Sequence, residues 1–265
     1  MERVKTGIPG FDDLVEGGIP KGSNVLLTGA PGAGKSIFGL QYIYEGAKEG
    51  ENGIYITLDS TTNTLKNQAA QFGMDMEAFE NEGKVFFLRV PLTKRKLNIF
   101  DTIEKIQKQI NAKRIVFDNL AALAMNLDLF TIPSGYAGNI ASSVSVNAGS
   151  IPTTDADIGI EGRDKVVYTG DSEKRLVYLI IEELAALGTT NLVITYGDPD
   201  NNRVTIDRVS EFACDGVVQL FNTLVGNKRL RTITISKMRN TNHSQYIHDL
   251  ELTSKGHEIK PAEKV

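Results

Sequence analysis

Residues Gly29, Ala30, Pro31, Gly32, Ala33, Gly34, Lys35 and Ser36 spell GAPGAGKS and satisfy the pattern GxxxxGK[ST]. They follow an apolar run, SNVLLT (23–28), and open a helical pattern, which is the setting such a motif needs. The glycines let consecutive backbone N–H groups converge on phosphate oxygens, and the helix N-terminus adds positive potential. Lys35 can reach the β- and γ-phosphates, and the Ser36 hydroxyl can ligate Mg²⁺. The chemistry defined is therefore binding of a nucleotide's phosphates with magnesium. A second apolar run, RIVFD, delivers Asp118 to the C-terminal edge of a strand, where a carboxylate can hold the same ion through water. Alone, Asp118 reads equally as a helix cap; beside the loop, the metal-side role is the better reading. Guanine specificity is not supported, because NKxD does not occur and NKRL at 227–230 lacks the aspartate.

The elements that position these residues follow from hydrophobic periodicity. Runs at 23–28, 53–58, 84–90, 113–118 and 190–196 read as buried strands, alternating with helices at 35–48, 98–111 and 172–187. In the last helix Leu176, Ile180, Leu184 and Leu187 recur at helical spacing. Such alternation predicts an α/β fold with a mostly parallel central sheet and helices on both faces. After residue 204, GVVQLFN, RLRTITISK and YIHDLELT are separated by NTLVGNK and RNTNHS, which predicts antiparallel C-terminal strands. The polar segment at about 127–172 shows no sustained period and reads as an atypical insertion in an otherwise single domain spanning 1–265.

Composition narrows the function classes. The chain has 265 residues, 41% of them hydrophobic, enough for a sizeable core. A net charge of −4 is the wrong sign for non-specific binding along a phosphate backbone. The basic runs TKRK (93–96) and KRLR (228–231) read as solvated surface. Cys214, the lone cysteine, reads as a reduced core thiol, with its flanks a helix running into a strand. Eighteen consecutive apolar residues occur nowhere, so the expectation is a cytoplasmic protein without membrane insertion.

Three stretches carry a more specific resemblance: TGIPGFDDLVEGGIPKGSNVLLTGAPGAGKS (6–36), RVSEFACDGVVQLF (208–221) and ISKMRNTNHSQYIHDLELTSKGHEI (235–259). The chain resembles a single module of the KaiC-like ATPases, a branch of the RecA/RadA group, and modules of this kind look archaeal. The resemblance implies a RecA-like P-loop fold and a homohexameric ring with ATP and Mg²⁺ at subunit interfaces. Within KMRNTNH, it implies that Lys237 and Arg239 reach the γ-phosphate of the next subunit while Thr241 and His243 help line that site. Two cations spaced by two on a strand share a face, which suits this role.

Similar ATPases end their second strand with two glutamates that orient or deprotonate the attacking water; here YITLDSTTN (55–63) offers Asp59 and Ser60. Aspartate is a methylene shorter, and a misplacement of about 1 Å can cost on the order of a hundredfold in rate. The expectation is firm ATP binding with slow hydrolysis, Asp59 either positioning water or capping the helix that starts near Thr62. The resulting reading is a ring-forming ATP-binding regulator or scaffold that controls an unidentified protein partner. One alternative is a RadA-like recombination paralogue binding single-stranded DNA, against which the insertion's acidic balance counts. Another is an autophosphorylating kinase using Ser142, Ser143, Ser145, Thr153 or Thr154.

Overall fold

The structure is a computed structural model and describes residues 1–90, 99–124, 170–197 and 203–260. The insertion at 127–169 with its serines and threonines, and TKRK at 93–96, lie outside the described residues.

Four strands form where unbroken apolar runs demand burial on both faces: β3 (Asn24–Gly29), β4 (Gly53–Thr57), β6 (Arg114–Asp118) and β7 (Thr190–Ile194). The fifth run, β5 (Val85–Arg89), stands last in the sheet order and is buried on one face only, with Phe86 exposed, so it is not the fully buried strand its apolar run predicts. Two short strands, β1 (Arg3–Val4) and β2 (Ile19–Pro20), make a separate antiparallel pair. With β8 (Gly216–Val225), β9 (Lys228–Met238), β10 (His248–Thr253) and β11 (Gly256–Ile259), the main sheet has nine strands among the described residues. Its order is β11-β10-β9-β8-β3-β7-β6-β4-β5. From β8 to β5 the neighbours run parallel; β9, β10 and β11 extend it antiparallel.

Side chains alternate across each strand and so feed two cores. Val25, Leu27, Tyr55 and Val116 face α1 (Lys35–Lys48), packing with Phe38, Tyr42 and Ile43. Leu26, Ile54, Ile56, Ile115 and Phe117 face the other way, toward α4 (Ile99–Ile110) and α6 (Gly170–Ala186). In α6, Leu176, Ile180 and Leu184 are buried at the expected helical spacing, and Leu187 packs against the same core. Shorter helices α2 (Thr62–Ala70), α3 (Met76–Asn81), α5 (Leu120–Ala124) and α7 (Ser210–Ala213) complete the described secondary structure apart from a 3-10 turn at Asp12–Val15.

Three differences from the sequence reading stand out. NTLVGNK is not a long separator: β8 continues to Val225 and turns through Gly226 and Asn227 into β9, with Gly226 at φ +58°. A two-residue turn of this kind matches strand twist, so polar residues 222–223 stay in the ladder. The polar segment's last residues, 170–172, are already helical. Finally β7 ends at Ile194, so Tyr196 lies past the strand's C-terminal edge, among the residues around the phosphate-binding loop. Cys214 is fully buried where α7 meets β8, and burial pushes its thiol pKa far up, as an inert core thiol requires.

Candidate functional site: a phosphate-binding cleft

β3 delivers GAPGAGKS to the top of the sheet, and α1 starts at Lys35. Gly34 sits at φ +98°, with the His257 ring so close behind it that an added Cβ would lie 2.4 Å from Nε2. Gly29 is equally confined, an added Cβ lying 2.3 Å from the Leu220 carbonyl oxygen. These two glycines are therefore needed for the backbone path as well as for access to a ligand. His257 reaches the loop from β11, its Nε2 lying 2.9 Å from the Gly34 carbonyl oxygen, and Gln41 pairs with the His257 backbone.

A cleft of about 290 Å³ opens beside the loop, lined by Lys35, Ser36, Asp59, Gln68, Asp118 and Tyr196 among others. A larger cavity of about 460 Å³ adjoins the loop from the β8 side but contains none of these six residues. The smaller cleft is therefore the one that gathers Lys35, Ser36, Asp59 and Asp118, the residues singled out from the sequence. In it the Ser36 hydroxyl donates to Asp118 Oδ2 at 2.8 Å, and the Tyr55 hydroxyl donates to the same oxygen at 2.7 Å. Asp118 is only 8% exposed, and burial is the chief force holding its carboxyl above the usual range; the bonds from Tyr55 and Ser36 oppose it. Among the described residues no cluster of three His, Cys, Asp or Glu could hold a metal unaided. A hydroxyl paired with a carboxylate instead fits a hard cation such as Mg²⁺, whose other ligands are phosphate and water oxygens.

Lys35 folds back on its own loop, donating to the carbonyls of Gly29 at 2.7 Å and Ala30 at 3.0 Å, with its ammonium 4.7 Å from the centre of the Tyr196 ring. Burial lowers its pKa to about 8, against the upward pull of Asp118 and Asp59. Asp59 enters the cleft just after β4. Thr61 caps α2 instead, its hydroxyl accepting from the Thr64 amide at 3.2 Å, so the capping alternative for Asp59 does not hold. Asp59 is held by the Asn119 side-chain amide and by the Tyr196 hydroxyl.

The loop residues, Ser36, Asp118 and Asp59 thus meet in one place, whereas Lys237, Arg239, Thr241 and His243 do not join them. Val217 pairs with Lys237 and Leu220 abuts Gly29, which separates the lysine from the loop by roughly 10 Å along the strand. Lys237 donates to the carbonyls of Glu211, Phe212 and Cys214, closing the C-terminus of α7. Arg239, with a side chain 53% exposed, pairs with Asp215 at 3.0 Å. β9 ends at Met238, so Arg239 lies beyond the strand on which the spacing argument rests, and both cations are engaged locally. Thr241 accepts from Arg3 at 2.6 Å, and His243 Nδ1 lies 3.0 Å from the Ser244 carbonyl oxygen.

Gln68 and Tyr196 line the cleft, and buried Tyr55 and Asn119 bond to its Asp118 and Asp59, without having been singled out from the sequence. For Tyr196 the available signal was its place at the C-terminal end of a parallel strand, where ligands bind in open α/β sheets. Tyr55 read simply as strand core.

A phosphate-binding loop after the first strand of a mostly parallel sheet, with a strand-end aspartate against its serine, defines a P-loop nucleotide-binding protein of the RecA-like kind. The family model for the KaiC ATPase matches residues 4–130 and 164–264, and the chain belongs to that family. It is 28% identical to a UPF0273 protein of Aeropyrum pernix, over 98% of this chain and 94% of that one. It is also 28% identical to the circadian clock oscillator protein KaiC of Synechococcus elongatus, covering 98% of this chain but 44% of that protein. A KaiC-like protein of Pyrococcus horikoshii superposes with a TM-score of 0.73 at 29% identity, covering 98% of this chain and 99% of the other. Among the described residues no helix is long and apolar enough to cross a membrane.

Proposed function

We propose that this protein is an ATP-binding KaiC-type regulator or scaffold, a single ATPase domain over residues 1–265, that forms a ring with Mg·ATP held between neighbouring subunits. Six copies are expected, in the cytoplasm, and nucleotide occupancy rather than rapid turnover is the signal passed to a protein partner. Hydrolysis is slow: water attacks the γ-phosphorus, the bond to the β,γ-bridging oxygen breaks, and ADP and phosphate leave. Ser36 and Asp118 hold the metal side, Lys35 the phosphates, and Asp59 directs the water.

The observation that carries this reading is the meeting of Lys35, the Ser36–Asp118 pair and Asp59 in one cleft. The distance of Lys237 and Arg239 from their own loop supports a role for them on a neighbour's nucleotide, together with Thr241 and His243. Arg239 is the more available of the two cations, because Lys237 would have to leave three carbonyls. Particle mass measured by light scattering, with and without Mg·ATP, tests assembly. Wild type should grow to a closed ring with nucleotide, and Arg239→Ala should lose that growth while melting within about 1 kcal/mol of wild type, since it gives up one surface ion pair. A chain that binds Mg·ATP and stays monomeric would overturn the ring.

Lys35 supplies a pH signature. From about 8 up to the ordinary lysine value the unfolded chain carries a proton that the folded one lacks, so stability of the nucleotide-free protein should rise with pH through that window. Phosphate in the cleft favours the ammonium, so ATP binding should take up a proton at roughly pH 8 and little at roughly pH 7. Binding enthalpies measured in buffers of different ionisation enthalpy read this uptake; equal enthalpies at pH 8 would contradict it.

A further inference from the structure

Tyr196 is the residue of the cleft that touches both Lys35 and Asp59, and its backbone is firmly placed. On either side of it the Thr195 amide donates to Leu27 O at 3.0 Å and the Gly197 amide to Gly29 O at 3.3 Å, tying the segment to the strand that carries the loop. Its own carbonyl accepts from the Ile206 amide at 3.2 Å. From this anchorage the hydroxyl donates to Asp59 Oδ2 at 3.1 Å. The second donor to that oxygen, the Asn119 amide, is itself oriented, because Asn119 Oδ1 accepts from the Ala122 amide at 2.7 Å. Both bonds use Oδ2.

We propose that Tyr196 is a positioning residue for hydrolysis: with Asn119 it clamps Asp59 through Oδ2 and so reserves Oδ1 for the attacking water. The inference rests on Asp59 directing that water. A short aspartate left to its own rotamers would place Oδ1 poorly, and fixing one oxygen from two sides removes that freedom. The ring has a separate task, lying under the Lys35 ammonium at 4.7 Å. Phosphate draws Lys35 away from the ring, but the hydroxyl keeps its hold on Asp59. Ring and hydroxyl can therefore be separated by one substitution.

Tyr196→Phe in the full chain keeps the ring and removes the clamp. Its ATP dissociation constant by calorimetry and its KM should stay within about twofold of wild type, while kcat falls roughly tenfold. On an Asp59→Asn background the same substitution should cost nothing further, because the carboxylate it serves is gone. A readout independent of turnover comes from tyrosine labelled with ¹³C at Cζ: the resonance missing in Tyr196→Phe identifies Tyr196, and it should move in Asp59→Asn. Unchanged kcat in Tyr196→Phe, alongside an impaired Asp59→Asn, would overturn the clamp and leave the role of Asp59 standing. Full turnover in Asp59→Asn would overturn both. Loss of ATP affinity in parallel with kcat in Tyr196→Phe would make the residue structural and also overturn the clamp.

Discussion

Exchanging Asp118 for asparagine should lower Mg·ATP affinity roughly a hundredfold, about 3 kcal/mol, yet leave the nucleotide-free protein as stable as wild type or more so. The carboxylate sits beside Ser36, buried, and its pKa is raised chiefly by that burial. An amide keeps the shape, and its carbonyl oxygen can still accept from Tyr55 and Ser36 without a desolvated charge. What it cannot do is offset a magnesium ion. The pH dependence follows from the sign of the shift. A carboxyl raised in the folded state costs stability as pH climbs from the ordinary carboxylate value to the raised one, so wild type should lose that increment and Asp118→Asn should not. Calorimetry with and without Mg²⁺, and melting curves across acidic to neutral pH, check both halves. Unchanged Mg·ATP affinity would remove Asp118 from the metal site.

The largest stability effect is expected at Arg114, far from the cleft. This side chain is 2% exposed at the start of β6, where its Nε pairs with Glu51 at 2.7 Å. Its Nη1 donates to the carbonyls of Lys5 at 2.7 Å and Tyr42 at 3.0 Å, and the guanidinium lies 4.8 Å from the centre of the Tyr42 ring. One cation thus joins the N-terminal segment, α1 and the central sheet. Arg114→Met keeps most of the volume but strands those acceptors, which should cost about 3 kcal/mol and lower Tm by roughly 10 °C. Thermal unfolding followed by circular dichroism measures this; a change under about 2 °C would mean that water readily replaces the guanidinium.

What could be read from the sequence, and what could not, divides by range. The parallel strands, the start of α1 at Lys35 and the placing of Asp118 rest on local patterns, an apolar run or a motif whose geometry is its meaning. RIVFD could only have been a strand buried on both faces. Asp59 was half legible: its position after β4 was plain, but its choice between helix and cleft was settled by Thr61, an equally good cap two residues on. Lys237 read, through the family resemblance, as a cation for the next subunit's γ-phosphate, and nothing in ITISKMR shows that three carbonyls at the end of α7 converge on its amine. Tyr196, Asn119 and Arg114 were missed for the same reason. Their partners lie 137, 60 and 63 residues away, at Asp59 for the first two and Glu51 for the third. Tertiary pairing at such separations leaves no periodicity behind. The hairpin at Gly226 was missed differently, since polar residues in an exposed ladder look like loop until the partner strand is known.

The most direct test of a site that binds ATP firmly and turns it over slowly through Asp59 is a paired assay on one preparation. It takes ATP affinity by calorimetry together with steady-state phosphate release, for wild type, Lys35→Ala and Asp59→Ala. Wild type and Asp59→Ala should bind ATP alike and Lys35→Ala should not, while phosphate release, slow in wild type, should drop to the Lys35→Ala background in Asp59→Ala. Failure of wild type to bind ATP, or release from Asp59→Ala as fast as from wild type, would contradict it.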